Sequence, residues 1–159
     1  MITTKTRFTG ALFAAAIAAV LASGSALAQQ QCPASIAGTL SATSPTQTGR
    51  ILRDGVASSC FAAKAFPGLT GGATLYAYDS YRFTNHTGAA ACVRFGLTVP
   101  AASQAHLVAY TTFVPAQPNL NYLADSGLSA TSNTVSMSLN LAAGAAIDVV
   151  VHTPNAGVW

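Results

Sequence analysis

The sequence predicts an antiparallel β-sandwich of seven to eight short strands, and three observations carry that prediction. Apolar and polar residues alternate in separate runs. Val93, Phe95, Leu97 and Val99 alternate with Arg94, Gly96 and Thr98, and Val135, Met137, Leu139 and Leu141 alternate with Ser136, Ser138 and Asn140. A period of two is what a strand with one dry face requires. Turn residues punctuate the chain roughly every 8 to 12 residues, the spacing of short antiparallel strands. No helical period extends beyond the first 28 residues.

Those first residues read as a secretory signal peptide. Lys5 and Arg7 make a basic start, Phe8 to Ala22 is an apolar run broken only by Thr9 and Gly10, and Ala26-Leu27-Ala28 is a small-x-small cleavage site. The uninterrupted apolar stretch from Ala11 to Ala22 is short for the roughly 20 residues of a membrane span, so cleavage after Ala28 is expected rather than anchoring. Cys32 follows three glutamines and no lipobox. Three segments follow: 1–28 signal peptide, 29–49 a loop-rich N-terminal segment, and 50–159 the β-sandwich domain.

Removing the signal changes the charge balance. The remaining chain keeps Arg50, Arg53, Lys64, Arg82 and Arg94 against Asp54, Asp79, Asp125 and Asp148, five against four, and has no Glu. No basic stripe is left for nucleic acid or an anionic membrane. Three cysteines remain, Cys32, Cys60 and Cys92. An oxidising compartment favours one bridge, which three thiols can make in three ways. The sequence does not choose among them. Cys32–Cys60 is the pairing that would staple the incoming segment to the body.

Taken in order, Ile36 to Leu40 reads as a short edge strand and Thr43 to Gly49 as a loop. Arg50 to Arg53 reads as a strand entering a turn at Asp54-Gly55, with Val56 to Ala63 continuing. Phe66-Pro67-Gly68 and Thr70-Gly71-Gly72 are loop punctuation. Residues 78–99 read as a β-hairpin. Tyr81 and Phe83 share one face, Val93 to Val99 alternate on the return, and Asn85-His86-Thr87-Gly88 supplies turn chemistry. His106 to Val114 is a further strand and Asn119 to Leu128 a structured loop. After the Val135–Leu141 strand, Ala142-Ala143-Gly144-Ala145 is a turn, and Ile147, Val149 and Val151 alternate with Asp148, Val150 and His152.

These pieces together, RILRDGVASSC, KAFPG, YDSYRFTNHTGAAACV, AYTTFVPAQPNLNYLADSG and AAGAAIDVVVH, resemble a secreted bacterial β-sandwich repeat of cell-surface and adhesin-like proteins. That repeat is similar to bacterial pre-peptidase C-terminal-like domains. The resemblance covers Arg50 to His152 and implies a jelly-roll-like sandwich with an accessory or adhesive role and no catalytic residues. Two departures stand out. Members often carry a second cysteine shortly after the one matching Cys92, where this chain reads PAASQAHL. They also continue past the VVVH strand into a closing strand of the type YTLTV. Without that strand a sheet edge would stay open, a template for pairing with another chain.

The residues give little support to catalysis. There is no G-x-S-x-G elbow. His86 falls in a turn, and Asp148 and His152 share a strand face too far apart for a direct hydrogen bond. With no Glu and with Asp residues in separate elements, a paired-carboxylate site has no basis. Metal binding fares no better: Asp125 beside Asn121 and Ser126 offers too few oxygens for Ca²⁺, and its expected role is to satisfy backbone amides of its own turn. His106 and His152 form a transition-metal pair only if their strands are neighbours. No metal or cofactor is expected. The remaining candidates are for recognition, Tyr78, Tyr110, Tyr122 and Asp125, because Tyr joins apolar area to a hydroxyl. Trp159 is a docked plug or an exposed handle. The expectation is a secreted, periplasmic or extracellular, non-enzymatic module. It would bind a protein or glycan surface through loops or an edge strand, or self-assemble by strand exchange.

Overall fold

The computed structural model describes residues 35–157, which fold as seven β-strands without helix. Residues 1–28, expected as a signal peptide, and Cys32 and Trp159 lie outside the described residues. The strands are β1 (Thr46–Ile51), β2 (Leu69–Thr84), β3 (Ala91–Thr98), β4 (His106–Tyr110), β5 (Tyr122–Asp125), β6 (Thr134–Leu141) and β7 (Ala146–His152). They form two antiparallel sheets, one of five strands in the order β1-β2-β7-β4-β5 and one of two, β3-β6. Among the described residues no helix is long and apolar enough to cross a membrane.

Residues 78–99 are not a hairpin. β2 pairs with β7 from Tyr78↔His152 to Thr84↔Ala146, whereas β3 pairs along its whole length with β6. The chain leaves one sheet at Thr84 and enters the other at Ala91. Asn85, 2% exposed, makes this corner. Its Nδ2 donates to the carbonyls of Ala89 (2.8 Å), Leu141 (3.0 Å) and Ala142 (3.1 Å), and its Oδ1 accepts from the Thr87 amide and hydroxyl. The second crossing, from β6 to β7, is thereby pinned at the same corner, with Gly144 N–H donating to the Asn85 carbonyl. Gly88 and Gly144 both take positive φ there. Turns of a hairpin and of a crossing use the same residue types, so the turn alone does not reveal which sheet the next strand joins.

Other boundaries shift for identifiable reasons. Thr46–Gly49, expected as loop, belongs to β1. Its apolar signal is missing because its buried side chain is Gln47, whose Nε2 donates to the Gly49 carbonyl. Ile36 to Leu40, expected as an edge strand, makes no strand. β2 starts before its glycines, and the register jumps from Arg50↔Thr70 to Thr48↔Leu75, so Gly71 and Gly72 form an excursion within the strand. β4 ends at Tyr110 rather than Val114. Beyond it, Arg82 Nη1 donates to the Thr111 carbonyl and the Phe113 amide donates to Asp148 Oδ2, so side chains replace the ladder. β5 lies inside the stretch expected as loop.

The main core lies between the sheets: Leu107, Ala109, Ala124, Met137, Leu139, Leu141, Ile147 and Val149, with Phe83, Val93, Phe95 and Leu97 packed against it. A second cluster, Ile51, Val108, Tyr110 and Val150 with Tyr78, Phe113 and Tyr122, covers the other face of the large sheet. β4 is therefore buried on both faces. Residues 53–66 lie along the β5 side and close the sandwich there. Ser58 N–H donates to the Asp125 carbonyl, Ser138 N–H to the Ser58 carbonyl, and Asn140 Nδ2 to the Cys60 carbonyl. A disulfide joins Cys60 to Cys92 on β3, which corrects the Cys32–Cys60 pairing. The sheet crossing carries β3 to the small sheet, where Cys92 sits opposite Asn140 and within reach of residue 60.

Candidate functional site

Tyr78, Tyr110, Tyr122 and Asp125 converge on the outer face of the five-stranded sheet, although they come from β2, β4 and β5. Tyr110 and Asp125 are fully buried, so a surface ligand does not reach them in this conformation. Tyr78 packs edge-on against Phe113 (4.9 Å between ring centroids) and Tyr122 against Phe66 (5.4 Å). The centre of the group is Asp125. It accepts from the Gly127 amide in its own turn, from the Tyr122 hydroxyl and from Lys64 Nζ at 2.9 Å. Lys64 Nζ also lies 2.6 Å from Asp54 Oδ1 and donates to the Val56 carbonyl. The lysine ammonium thus sits between the carboxylates where a bound cation would have to sit.

His106 and His152 are cross-strand partners on β4 and β7, with ring centroids 5.2 Å apart. Both are fully buried. His152 Nδ1 lies 2.9 Å from the Thr153 carbonyl, so that nitrogen carries the proton. His106 Nε2 is 3.6 Å from Asp125 Oδ1, beyond hydrogen-bond length. Burial lowers both imidazoles, taking His152 to about 3 with help from the neighbouring His106, Arg50 and Arg53. Burial alone would raise the Asp125 carboxyl. Facing His106, and bonded by Tyr122, Lys64 and the Gly127 amide, it is held instead at about 2. Burial and the Asp125 charge push the Tyr110 and Tyr122 hydroxyls above their ordinary range. The result is a sealed polar cluster of an ionised carboxylate and two neutral imidazoles. It ties residues 54–64 to the sheet. Among the described residues no group of three or more His, Cys, Asp or Glu is placed to hold a metal ion.

The accessible feature lies on the opposite side. A trough of about 1270 Å³ runs between the sheets beside β3. Its floor includes Phe83 of β2 and Val149 and Val151 of β7. One wall is the outer edge of β3, and the other is the segment Ile36 to Leu40. Gly38 lies so close over β2 that a Cβ there would come 2.0 Å from Tyr81 Oη. The two strands of the small sheet show the consequence. On β6, Val135, Met137 and Leu139 are 8%, 1% and 9% exposed. Their register partners on β3, Leu97, Phe95 and Val93, are only half-buried. Among the described residues β3 has β6 on one side and no strand on the other. Its outward amides and carbonyls therefore border a largely apolar trough along the eight residues of β3, about 27 Å.

The sequence reading identified the alternation of β3 but not the trough, because it paired β3 with β2. The polar candidates were named one by one and not as a group, and Lys64, whose Nζ bonds Asp125 and Asp54, was not among them. A lone Lys in a loop gives no local sign that it will meet two carboxylates. Comparison of the chain with protein-family models, with curated proteins and with solved structures finds no match.

Proposed function

We propose that the chain is a secreted, non-enzymatic interaction module, adhesin-like in use, that takes up an extended apolar segment of a partner protein along β3. The observation that carries this reading is the unpaired edge of β3 beside the apolar trough. Such an edge gives an incoming strand main-chain hydrogen bonds, and the trough takes its alternate side chains. Affinity would come from the backbone and from buried apolar area, so no cofactor is needed. The cystine agrees with an oxidising compartment, and the bacterial cell-surface setting rests on the family resemblance. The test is calorimetric titration of residues 29–159 with a capped peptide of alternating Val and Thr. Wild type should bind, and Phe95→Asp, which puts a charge into the trough, should abolish binding in protein whose circular dichroism shows it folded; Val93→Asp is the second variant should Phe95→Asp not fold. An absence of binding to wild type would sink the reading.

A second reading, a self-assembling subunit, is favoured by one observation. Ile36 to Leu40 lines the trough opposite β3, and among the described residues its backbone makes no hydrogen bond. The same segment of another copy would supply a strand. Size-exclusion chromatography with light scattering, with and without reductant, separates the two. A monomer in both conditions supports the binding module, and polymers that survive reductant support strand exchange.

A further inference from the structure

The polar cluster on the outer face of the large sheet holds a buried amine directly against a buried carboxyl group. Lys64 Nζ lies 2.9 Å from both Asp125 Oδ1 and Asp125 Oδ2. Equal distances to the two oxygens put the nitrogen opposite the carboxyl carbon Cγ, within the roughly 3–3.5 Å of a near-attack arrangement. The two side chains are 8% and 0% exposed. Asp54 Oδ1 lies 2.6 Å from the same nitrogen, and the Val56 carbonyl accepts from it at 2.5 Å. The Asp54 side chain is 33% exposed, so it can exchange protons with solvent.

The backbone fixes this encounter from both sides. Ser58 N–H donates to the Asp125 carbonyl, Asp125 N–H donates to Ser58 Oγ at 3.0 Å, and Gly55 N–H donates to the Gly127 carbonyl. Gly127 takes positive φ, and a Cβ there would fall 2.4 Å from the Val56 carbonyl carbon. Only glycine lets residues 54–56 lie this close to the Asp125 turn.

We propose that Lys64 and Asp125 condense into an intramolecular isopeptide bond, with Asp54 as the base, so that residues 54–64 become covalently fastened to β5. The step balances without oxidant or cofactor. Asp54 takes a proton from the ammonium, and the freed amine attacks Cγ of Asp125. The Nζ–Cγ bond forms and the Cγ–Oδ2 bond breaks. Of the three ammonium protons, one stays on the amide nitrogen and two leave with Oδ2 as water. Gly127 N–H, 2.5 Å from Oδ1, holds the oxygen that carries the developing charge and remains as the amide carbonyl. The Tyr122 hydroxyl donates to Oδ2 and assists its departure. Two charges buried at a desolvation cost become one neutral amide. Asp125 rather than Asp54 is the acceptor, because Asp54 stays open to water. The bond is independent of strand binding along β3. The acid titration of Asp125 belongs to the unlinked chain and disappears with the bond.

The experiment is intact mass spectrometry of residues 29–159 after reduction and alkylation, followed by trypsin digestion. Linkage predicts a mass one water below that of the sequence in essentially all molecules. Trypsin should fail to cut after Lys64, and peptide 54–82 should travel with the peptide that begins at Phe95. Lys64→Arg, whose guanidinium is no nucleophile, should restore the full mass and normal cleavage. Asp54→Ala changes a partly exposed side chain, so it should fold and leave most of the chain unlinked. Full mass in the folded wild type overturns the proposal. So does a lost water with normal cleavage after Lys64, which would be a succinimide at Asp54-Gly55, or a link that joins Lys64 to Asp54. Complete linkage in folded Asp54→Ala overturns the assignment of the base.

Discussion

Phe83 and Phe95 meet edge to face, with centroids 5.2 Å apart, across the two sheets. Neither is hydrogen-bonded to the other's strand: Phe83 is opposite Ile147 and Phe95 opposite Met137. The contact closes the inner face of the sandwich and marks where its packing stops. On one side of it the core is dry, and on the other the trough begins.

Asn85 links both sheet crossings through three donated and two accepted hydrogen bonds. Asn85→Ala should cost about 2–4 kcal/mol, because it leaves buried carbonyls unpaired at both corners. Asn85→Asp should cost more at neutral pH than in mild acid, since an ionised carboxylate would face three carbonyls. Urea unfolding of the three proteins at two pH values checks this. Equal midpoints would mean the corners hold without the amide.

The Cys60–Cys92 bridge closes a loop of sequence separation 32 and ties residues 53–66 to the small sheet. Paired Cys60→Ser and Cys92→Ser replacements should lower stability by about 3–4 kcal/mol on loop entropy. The measurement is the shift in urea midpoint. Binding of the strand peptide should survive, because the half-buried Val93, Phe95 and Leu97 that supply the apolar lining alternate with Cys92 along β3 and stay in place.

Stability should fall with acid earlier than carboxylates alone would dictate. His152 is pushed down to about 3, and His106 is lowered as well, while unfolded imidazoles titrate near about 6.5. Over that window the unfolded chain binds more protons than the folded one, so stability drops as pH falls. Asp125, held at about 2, adds a further loss as pH falls through about 4, where the unfolded carboxylate takes up its proton. The urea midpoint should decline between about pH 7 and about pH 5 by on the order of a few kcal/mol in stability. His152→Gln should flatten that decline. A wild-type midpoint constant over the same range would contradict the buried neutral pair.

Much of the fold was legible in the residues. The alternation in β3, β6 and β7 gave their faces correctly, because a period of two needs only local information. Pairing was not legible. Asn85-His86-Thr87-Gly88 reads the same whether β3 returns beside β2 or crosses above it, and the deciding contacts, from Asn85 to Leu141 and Ala142, lie 56 and 57 residues away. β1 was hidden because its buried positions include Gln47, which pairs with its own backbone and carries no apolar signal. Tyr110 and Asp125, expected as surface candidates for recognition, are buried instead, and nothing in their local sequence shows that Lys64, 61 residues before Asp125, comes to bond it. The trough is an emergent feature of an uneven sandwich, five strands under two.

Strand binding requires an open outer edge on β3. The decisive measurement is backbone amide exchange by NMR, with and without the alternating Val/Thr peptide. In the free protein the amides of β3 that point away from β6 should exchange quickly, while those bonded to β6 are protected. Added peptide should protect the outward amides between Ala91 and Thr98 and leave β1 and β5, the edges of the large sheet, unchanged. Protection confined to β1 or β5, or outward β3 amides already protected without peptide, would contradict the claim that β3 borders an open strand-binding groove.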